Sequence, residues 1–269
     1  MSKTIFITGA SSGLGKETAK LFQQKGWQVI ATMRNPEKEK ELNQLPNVQL
    51  FPLDVTNQEQ VKNTIGHVLS KFDVDVVFNN AGYGMVGGFE AYSETDISRQ
   101  IETNLVGVLR VAQPFITYFR ESKKNGILLT TTSAAGIAAN PLASVYSATK
   151  FALEGWSEAV NYEVNQFGIR LKTIAPGGMS TDYAGRSLSY VENEIYTPLW
   201  NKMLAGFEDG STDVHFSSAD DVAKVIYEAA TDNKPQLRYV VGPDAEKIAN
   251  DRQELGQQKQ FEHISKLYS

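Results

Sequence analysis

Short apolar segments alternate with longer amphipathic segments along most of this chain. The short segments are almost continuously apolar, as strands buried on both faces of a sheet should be, and they span residues 4–8, 28–32, 48–51, 74–79, 126–132, 169–175 and 238–241. The longer segments have helical periodicity and span residues 15–25, 58–71, 94–121, 144–166 and 219–231. Because strand–helix–strand alternation builds parallel sheets, we predict an α/β fold: a doubly wound parallel sheet of about seven strands with helices on both faces.

The composition narrows the class of protein. With 41% hydrophobic and 21% charged residues, the chain has the material for one large domain spanning residues 1–269. The net charge is −5 and Lys and Arg are scattered, which argues against nucleic acid or an anionic membrane surface as a partner. The chain contains no cysteine, which excludes disulfides, thiolate catalysis and cysteine-ligated zinc.

Two further patterns bear on location and on metal binding. The first apolar stretch stops at Gly9 and is too short for a signal peptide core or a membrane span, so that we expect a cytoplasmic protein. The histidines show no ligand spacing, so that we expect no metal site. They are His67, His215 and His263.

A glycine-rich turn follows the first predicted strand. Residues 8–15 read Thr-Gly-Ala-Ser-Ser-Gly-Leu-Gly and lead directly into a predicted helix. Glycines let the backbone approach a ligand, and the N–H groups at a helix start offer partial positive charge to a phosphate. Since open parallel sheets bind ligands at the carboxyl ends of their strands, the turn predicts a diphosphate site. The alternative is a plain strand-to-helix turn.

Tyr146 and Lys150 lie four residues apart in a predicted helix, which places them on one face, one turn from each other. Lowering the pKa of a phenol from about 10 to near neutrality takes about 4 kcal/mol. An ammonium about 4 Å away, at an effective dielectric constant of about 20, supplies that much. The pair can therefore transfer protons near neutral pH, although the same spacing also occurs on ordinary solvated helices.

A series of motifs, taken in order, resembles the short-chain dehydrogenase/reductase family, in its short, non-extended branch. The motifs are the turn at residues 8–15, Asp54 after strand three, Asn79-Asn80-Ala81-Gly82 after strand four, Asn104 in the long helix, Ser133 ending strand five, Tyr146 with Lys150, and Pro176-Gly177 after strand six. The resemblance implies a single Rossmann-like domain with a helical substrate lid at about 178–216. The charged segment 244–269 is predicted to be a C-terminal helical extension.

The resemblance also implies a nicotinamide dinucleotide cofactor. NAD-dependent relatives carry an acid after strand two, where this chain has Arg34, which can pair with a 2′-phosphate. NADP(H) is therefore predicted over NAD(H), the alternative being that Arg34 is a solvated loop residue. Asp54 is expected to take the adenine amino group rather than to cap the next helix, for which Thr56 or Asn57 is better suited. The predicted cofactor-binding residues are Gly9, Ser11, Ser12, Gly13, Leu14, Gly15, Arg34, Asp54, Val55, Asn80, Ala81, Gly82, Tyr146, Lys150, Pro176 and Gly177.

Four residues match the catalytic positions of the family. The resemblance implies that Tyr146 exchanges a proton with the carbonyl or alcohol oxygen, and that Ser133 donates a hydrogen bond to the same oxygen. It implies that Lys150 holds the nicotinamide ribose and lowers the pKa of Tyr146. Asn104 resembles the asparagine that anchors a proton-relaying water; alternatively it is a polar residue in a helix interior, where asparagine is a poor helix former.

The resemblance implies that the substrate meets Ser133 and Tyr146, and the predicted wall residues are Ala135, Met179 and Tyr183. Aromatic residues of the lid facing small apolar residues suggest a roomy apolar pocket, although part of the lid side chains are expected only to pack. The lid also carries Glu192, Glu194, Glu208, Asp209 and Asp213. Because an acidic carrier protein would be repelled there, we expect a free ketone, aldehyde or secondary alcohol as the small-molecule substrate.

Residues 146–155 are also similar to the steroid and retinoid dehydrogenase subgroup, which favours bulky apolar substrates. In many members of the family the two long helices form the subunit contact, so that a homodimer or homotetramer is expected. On the helix of Tyr146, Ser144 is predicted to be the N-cap, and Glu154 and Glu158 are predicted to be packing or solvated positions rather than a carboxylate pair.

The predicted activity is that of an NADP(H)-dependent carbonyl reductase. The alternatives are an NAD(H)-dependent alcohol or steroid-type dehydrogenase or a 3-oxoacyl reductase. A dinucleotide-binding regulatory protein is a non-enzymatic alternative, but such a protein is expected to have lost Ser133, Tyr146 or Lys150. An epimerase or dehydratase of the longer branch is disfavoured by the glycine spacing, which is G-x-x-x-G-x-G.

Overall fold

The computed structural model describes residues 2–179, 188–208 and 216–268. Its strands are β1 (Thr4–Ile7), β2 (Gln28–Met33), β3 (Val48–Pro52), β4 (Val76–Asn79), β5 (Gly84–Val86), β6 (Ile127–Thr131), β7 (Arg170–Pro176), β8 (Leu188–Tyr190) and β9 (Arg238–Val241). Its α-helices are α1 (Gly13–Gln24), α2 (Gln58–Leu69), α3 (Glu94–Ile101), α4 (Gly107–Glu121), α5 (Ser144–Val164), α6 (Thr197–Glu208), α7 (Ala219–Thr231) and α8 (Pro243–Tyr268). A π-helical turn, Glu102–Val106, joins α3 to α4.

Seven strands form one sheet in the order β3-β2-β1-β4-β6-β7-β9, and every neighbouring pair is parallel. On one face the core packs against α1 and α7, and on the other against α2, α4 and α5. The predicted Rossmann-like fold is therefore confirmed. Strand order reverses between β1 and β4, which opens a crevice at the carboxyl ends of the strands where such sheets bind ligands.

The seven sheet strands begin and end within two residues of their predicted bounds, whereas β5 and β8 were not predicted. These two strands have three residues each and form a separate parallel pair. A segment of three residues is too short for a periodic pattern to show. In the predicted lid, β8 and α6 are described; their action as a lid stays a prediction.

The prediction that Ser144 is the N-cap of α5 is wrong. Ser144 is the first residue of α5, and Ala143 occupies the cap position without a side-chain hydrogen bond. The preceding turn packs closely on α5, because a Cβ added to Gly136 would lie 3.0 Å from the carbonyl oxygen of Lys150. Tertiary packing of this kind can support a helix start without a side-chain cap.

The predicted C-terminal extension is α8, which is interrupted at Gly256 (φ 76°, ψ 168°). The part beyond the break folds back, because the Gln260 side chain donates a hydrogen bond to the carbonyl of Ile248 (2.9 Å). The first part reaches the segment after β6, where Arg252 Nε donates to the carbonyl of Ile137 (3.0 Å). Within the described ranges, neither α8 nor another helix is long and apolar enough to cross a membrane.

A buried ion pair ties β7 to its neighbours. The Lys172 side chain is 1% exposed, and its Nζ lies 2.6 Å from a carboxylate oxygen of Asp232, which follows α7. The same Nζ donates to the carbonyl of Ala229 (2.8 Å) and to the hydroxyl of Tyr239 on β9 (3.0 Å). Because these partners satisfy the ammonium, the charge can be buried. The network holds β7, whose far end carries Pro176.

We predict that Asp232→Ala lowers the free energy of unfolding by about 3–5 kcal/mol, because it leaves the buried Lys172 ammonium without its anion. Urea unfolding followed by circular dichroism measures the loss. Asp220→Ala is the matched control, since Asp220 pairs with Lys224 where both side chains are 60% exposed, and it should cost less than about 1 kcal/mol. Equal losses in the two variants would show that the buried pair adds nothing.

Candidate active site

The glycine-rich turn after β1 is shaped by close backbone contacts. Gly9 has φ +68°, and a Cβ there would lie 2.8 Å from Cα of Ala81, in the segment after β4. A Cβ on Gly15 would overlap the carbonyl oxygen of Gly9 and lie 2.5 Å from Nδ2 of Asn80. Gly13 has φ +51° and no atom within 4 Å of its Cβ position. The turn therefore packs tightly on its inner side and leaves open space at Gly13, at the start of α1.

Hydrogen bonds lock the exits of β1 and β4 together. Thr8 Oγ1 accepts the backbone N–H groups of Asn80 and Ala81, both at 3.0 Å. The Asn80 side chain donates to the carbonyl oxygens of Thr8 and Gly9, both at 3.2 Å. The predicted cofactor segments around Gly9 and Asn80 are thus one rigid unit.

The start of α1 is suited to an anion. Its cap residue Ser12 makes no side-chain capping bond, and its first turn contains no acidic residue. The first N–H groups of a helix lack intrahelical partners, and the helix dipole adds partial positive charge there. Ser11 is exposed beside this helix start. The open space at Gly13 and these donors fit the diphosphate of a dinucleotide.

Arg34, directly after β2, is exposed, and within the described part of the chain its guanidinium has no hydrogen bond or ion pair. Glu39, the buried acid that follows, faces inward. Its carboxylate lies 3.1 Å from Nζ of Lys16 and accepts the N–H groups of Glu41 and Leu42. Burial opposes its ionisation, but these bonds together hold the pKa of Glu39 below its usual value. The end of β2 therefore presents a free cation, while Glu39 is already engaged.

Asp54 shapes the turn after β3. Its Oδ1 accepts the backbone N–H (2.9 Å) and the hydroxyl (2.7 Å) of Thr56. The cap of α2 is Asn57, whose side chain accepts the N–H of Gln60 (3.0 Å), as predicted from its residue type. Asp54 is therefore not a helix cap, and its half-buried carboxylate lies beside the buried Val55.

Lys150 is buried in the centre of the site. Its Nζ donates to the carbonyl of Thr131 at the end of β6 (2.8 Å) and lies 5.5 Å from the centre of the Tyr146 ring. Burial lowers the pKa of Lys150 to about 8, and the negative charge of Glu154 opposes that shift. The predicted pair thus forms, but the ammonium is itself easier to deprotonate than a solvated lysine.

Ser133 lies between β6 and a short 3₁₀ turn, Ala134–Gly136. Its Oγ accepts the N–H of Ala135 (3.1 Å), which holds the side chain in place. The 3₁₀ turn packs directly on α5 at Lys150. The strand end that carries Ser133 and the helix that carries Tyr146 and Lys150 therefore meet at the carboxyl edge of the sheet.

Asn104 lies in the π-helical turn and is 1% exposed. Its amide is engaged by the backbone of Tyr83, whose N–H donates to Oδ1 (3.0 Å) and whose carbonyl accepts from Nδ2 (2.8 Å). Gln100, one turn earlier, donates to the same carbonyl (2.6 Å). The side chain of Asn104 therefore fixes the segment after β4 next to Gly82, and its predicted part in a proton relay stays a prediction.

Sequence reasoning missed Gln100 and Tyr83 as parts of this clamp. The spacing of Gln100 and Asn104, four residues apart with both amides on one helix face, was the available signal. π-Helical turns are often found at functional sites, and nothing in the sequence pattern distinguishes this one from a regular helix.

The turn after β7 is held by a carboxylate from the predicted C-terminal extension. The N–H of Gly177 donates to the carbonyl of Val241 (3.0 Å), and the N–H of Gly178 donates to Oδ2 of Asp244 (2.7 Å). A Cβ on Gly177 would overlap the carboxylate of Asp244. A side chain after Pro176 would therefore displace the carboxylate of Asp244. Asp244 is a residue that sequence reasoning did not assign to the site.

The predicted substrate residues are only partly brought together. Ala135 is buried, 4% exposed, behind Ser133. Met179 forms an isolated parallel bridge with Ser217 and packs on the core. Tyr183 lies outside the described residues.

The described part of the predicted lid contains both packed and exposed apolar side chains. Tyr190 stacks on Trp200 with ring centres 4.8 Å apart, and Tyr196 abuts Gly88 so closely that a Cβ there would overlap its ring. Ile195, in contrast, is 75% exposed. Part of the lid aromatics therefore pack on the body of the protein, as the sequence analysis expected.

Comparison with known proteins places the chain among oxidoreductases. Residues 3–190 match the family described as short chain dehydrogenase. An oxidoreductase of Botryotinia fuckeliana is 34% identical over 260 residues, covering 95% of this chain and 94% of the relative. A 3-ketodihydrosphingosine reductase of Bacteroides thetaiotaomicron is 32% identical, covering 89% of this chain and 87% of the relative.

Solved structures agree with this assignment. A short-chain dehydrogenase from Streptomyces avermitilis has a TM-score of 0.85 and 29% identity, with 98% of each chain covered. The structure of ElxO with NADP bound has a TM-score of 0.74 and 28% identity, covering 89% of this chain and 98% of ElxO. With a parallel Rossmann-like sheet, a glycine turn at its ligand-binding edge and a family match over most of its length, the chain belongs to the short-chain dehydrogenase family.

Proposed function

We propose that the chain is an NADP(H)-dependent oxidoreductase that interconverts a ketone or aldehyde and an alcohol. The observation that carries this proposal is the buried Lys150 ammonium, 5.5 Å from the ring centre of Tyr146 and bonded to Thr131, the last residue of β6, two residues before Ser133. An acid/base pair of this kind at the ligand-binding edge of the sheet, near a turn suited to a diphosphate, supports transfer chemistry on a carbonyl.

The residues of this centre divide the work. When bound, the nicotinamide supplies or accepts the hydride. Tyr146 donates a proton to the carbonyl oxygen in reduction and takes one from the alcohol in oxidation. Ser133 donates a hydrogen bond to the same oxygen, where negative charge develops. Lys150 stabilises the phenolate of Tyr146 and offers its ammonium to the ribose.

The preference for NADP(H) is supported by charge. Arg34 is exposed and unpaired within the described residues, so that it is available to a 2′-phosphate. Glu39, which could otherwise take ribose hydroxyls, is buried against Lys16. The related ElxO structure holds NADP.

The proposed substrates are bulky, apolar carbonyl compounds or secondary alcohols. Exposed apolar side chains at Tyr190 and Ile195, in the predicted lid, support an apolar partner molecule. Relatives named as a 3-ketodihydrosphingosine reductase and a retinol dehydrogenase agree with interconversion of carbonyl and alcohol.

The oligomeric state and the cellular location stay predictions. Phe151 and Tyr162 of α5 are 42% and 74% exposed, and this apolar surface on the helix supports a homodimer or homotetramer. A cytoplasmic location is proposed from the sequence alone.

The proposed function is tested by mixing the purified protein with NADPH and a panel of alkyl and aryl ketones and aldehydes, and by following NADPH absorbance. We expect loss of absorbance with at least the bulkier members. Binding of NADPH without turnover on the panel, or on the matching alcohols with NADP⁺, would instead favour the non-enzymatic regulator.

We predict that Tyr146→Phe lowers kcat at least about a thousandfold, because the proton donor is removed while the ring remains. NADPH affinity, measured by fluorescence titration, should change less than about threefold. Tyr162→Phe is the control on the same helix, since its exposed hydroxyl donates to Glu158 (2.8 Å) and has no other partner among the described residues. Activity retained in Tyr146→Phe would rule out the assigned proton donor.

Arg34→Glu should raise the KM for NADPH about ten- to a hundredfold, since a charge-assisted hydrogen bond of about 1.5–3 kcal/mol is replaced by repulsion. The KM for NADH should fall or stay the same. Lys71→Glu makes the same charge change at an exposed position after α2 and should leave the ratio of the two constants unchanged. An NADH preference in the unmodified protein that Arg34→Glu does not alter would contradict the assignment.

A further inference from the structure

We propose that Glu154 is a positioning residue for the Tyr146–Lys150 centre: its buried carboxylate, balanced by Arg238, sets the charge around Lys150 and fixes the strand end that carries Ser133. This inference rests on the proposed function, because it assigns a further residue to the same reaction. From the sequence, Glu154 is expected at a packing or solvated position; in the structure its side chain is only 6% exposed.

The carboxylate of Glu154 has partners on two strands and in the segment directly after a third. Its Oε1 accepts the hydroxyl of Thr132 after β6 (2.5 Å). Its Oε2 accepts the hydroxyl of Thr173 on β7 (3.1 Å) and Nε of Arg238 on β9 (2.9 Å). Three donors from different parts of the chain, one of them the charged Arg238, hold a buried carboxylate and its partners in one geometry.

These bonds act on the reacting groups through the end of β6. Lys150 binds the carbonyl of Thr131, and Glu154, one helical turn later on the same face, binds the side chain of Thr132. The next residue is Ser133. Helix α5 is therefore joined to two successive residues of the strand end, and these two bonds set the position of Ser133 relative to Tyr146.

Glu154 also acts through its charge. Burial alone lowers the pKa of Lys150, and Glu154 is the charged group that opposes this effect among the described residues. From β6, the group that contacts Lys150 is the Thr131 carbonyl, which is uncharged, and the π-helical turn that packs on α5 carries the uncharged, buried Asn104. From β7, Thr173 is uncharged and Lys172 is paired with Asp232 toward α7. From β9, Arg238 reaches Glu154.

This arrangement predicts the direction in which each charge change shifts the apparent pKa of the Tyr146–Lys150 pair. Removing the negative charge of Glu154 favours loss of a proton from the Tyr146–Lys150 pair, whichever of the two groups releases it. Removing the positive charge of Arg238 leaves Glu154 uncompensated and favours retention of the proton. A residue that only packs α5 onto the sheet would not produce shifts of opposite sign.

The test compares Glu154→Gln, Arg238→Gln and the control Glu158→Gln, one turn further along α5, where the carboxylate is exposed and bonds to Tyr162. The first readout is the ultraviolet titration of tyrosinate in the cofactor-free protein, with the titration of Tyr146→Phe subtracted. The second is the pH profile of kcat/KM for ketone reduction. Circular dichroism and thermal unfolding establish that each variant is folded.

We expect Glu154→Gln to lower the apparent pKa of the pair by about two units, as loss of a charge about 6 Å away does at an effective dielectric constant of about 20. Arg238→Gln should raise it by less, because the Arg238 side chain is 38% exposed and partly screened. Glu154→Gln should lower kcat about tenfold or more while leaving the KM for NADPH within about twofold. Glu158→Gln should change neither the apparent pKa nor kcat.

Glu154→Asp keeps the charge but shortens the side chain, and it should restore the pH profile more fully than kcat. Shifts of the same sign in Glu154→Gln and Arg238→Gln, or no shift in either, would overturn the proposal. Opposite shifts of the apparent pKa in the tyrosinate titration, without turnover of any substrate, would support this proposal and contradict the proposed function. Turnover of substrate without a shift of the apparent pKa in either variant would contradict this proposal and leave the proposed function standing.

Discussion

All seven strands of the central sheet run parallel, so that every strand exit lies at one edge. This arrangement brings together Gly9, Asn80, Ser133 and Pro176, which are far apart in sequence. Close backbone contact then refines their positions: Gly9 can approach Ala81 only because it has no Cβ. Without this edge the glycine turn and the tyrosine–lysine helix would be separate features of the chain.

Buried charge is the second constraint, and the protein uses it on both faces of the sheet. Toward α7, Lys172 is paired with Asp232 and secures β7. Toward α5, the ammonium of Lys150 has a carbonyl partner and, among the described residues, no contacting carboxylate, while Glu154, one turn away, is paired with Arg238. Because a buried charge without a full partner titrates easily, Lys150 is suited to proton transfer and Lys172 to structure.

The sheet, the glycine turn and the Tyr146–Lys150 pair could be predicted because each depends on local patterning: runs of apolar residues, glycines at a strand exit, and spacing on a helix. Two contacts could not be predicted from the sequence. The Gln100 side chain donates to the carbonyl of Tyr83, and the N–H of Gly178 donates to the carboxylate of Asp244. In these cases the partner comes from another element, and no local pattern records which elements meet.

The sequence by itself determined the class of fold, the order of its elements, and the family to which the motifs belong, because periodicity and spacing are properties of neighbouring residues. Only the tertiary structure decided that Glu154 is buried and Glu158 exposed, although both are glutamates on the same helix one turn apart. The physical reason is that the hydrogen-bond donors for Glu154 come from β7, from β9 and from Thr132 directly after β6. Those strands reach α5 only when the sheet has formed.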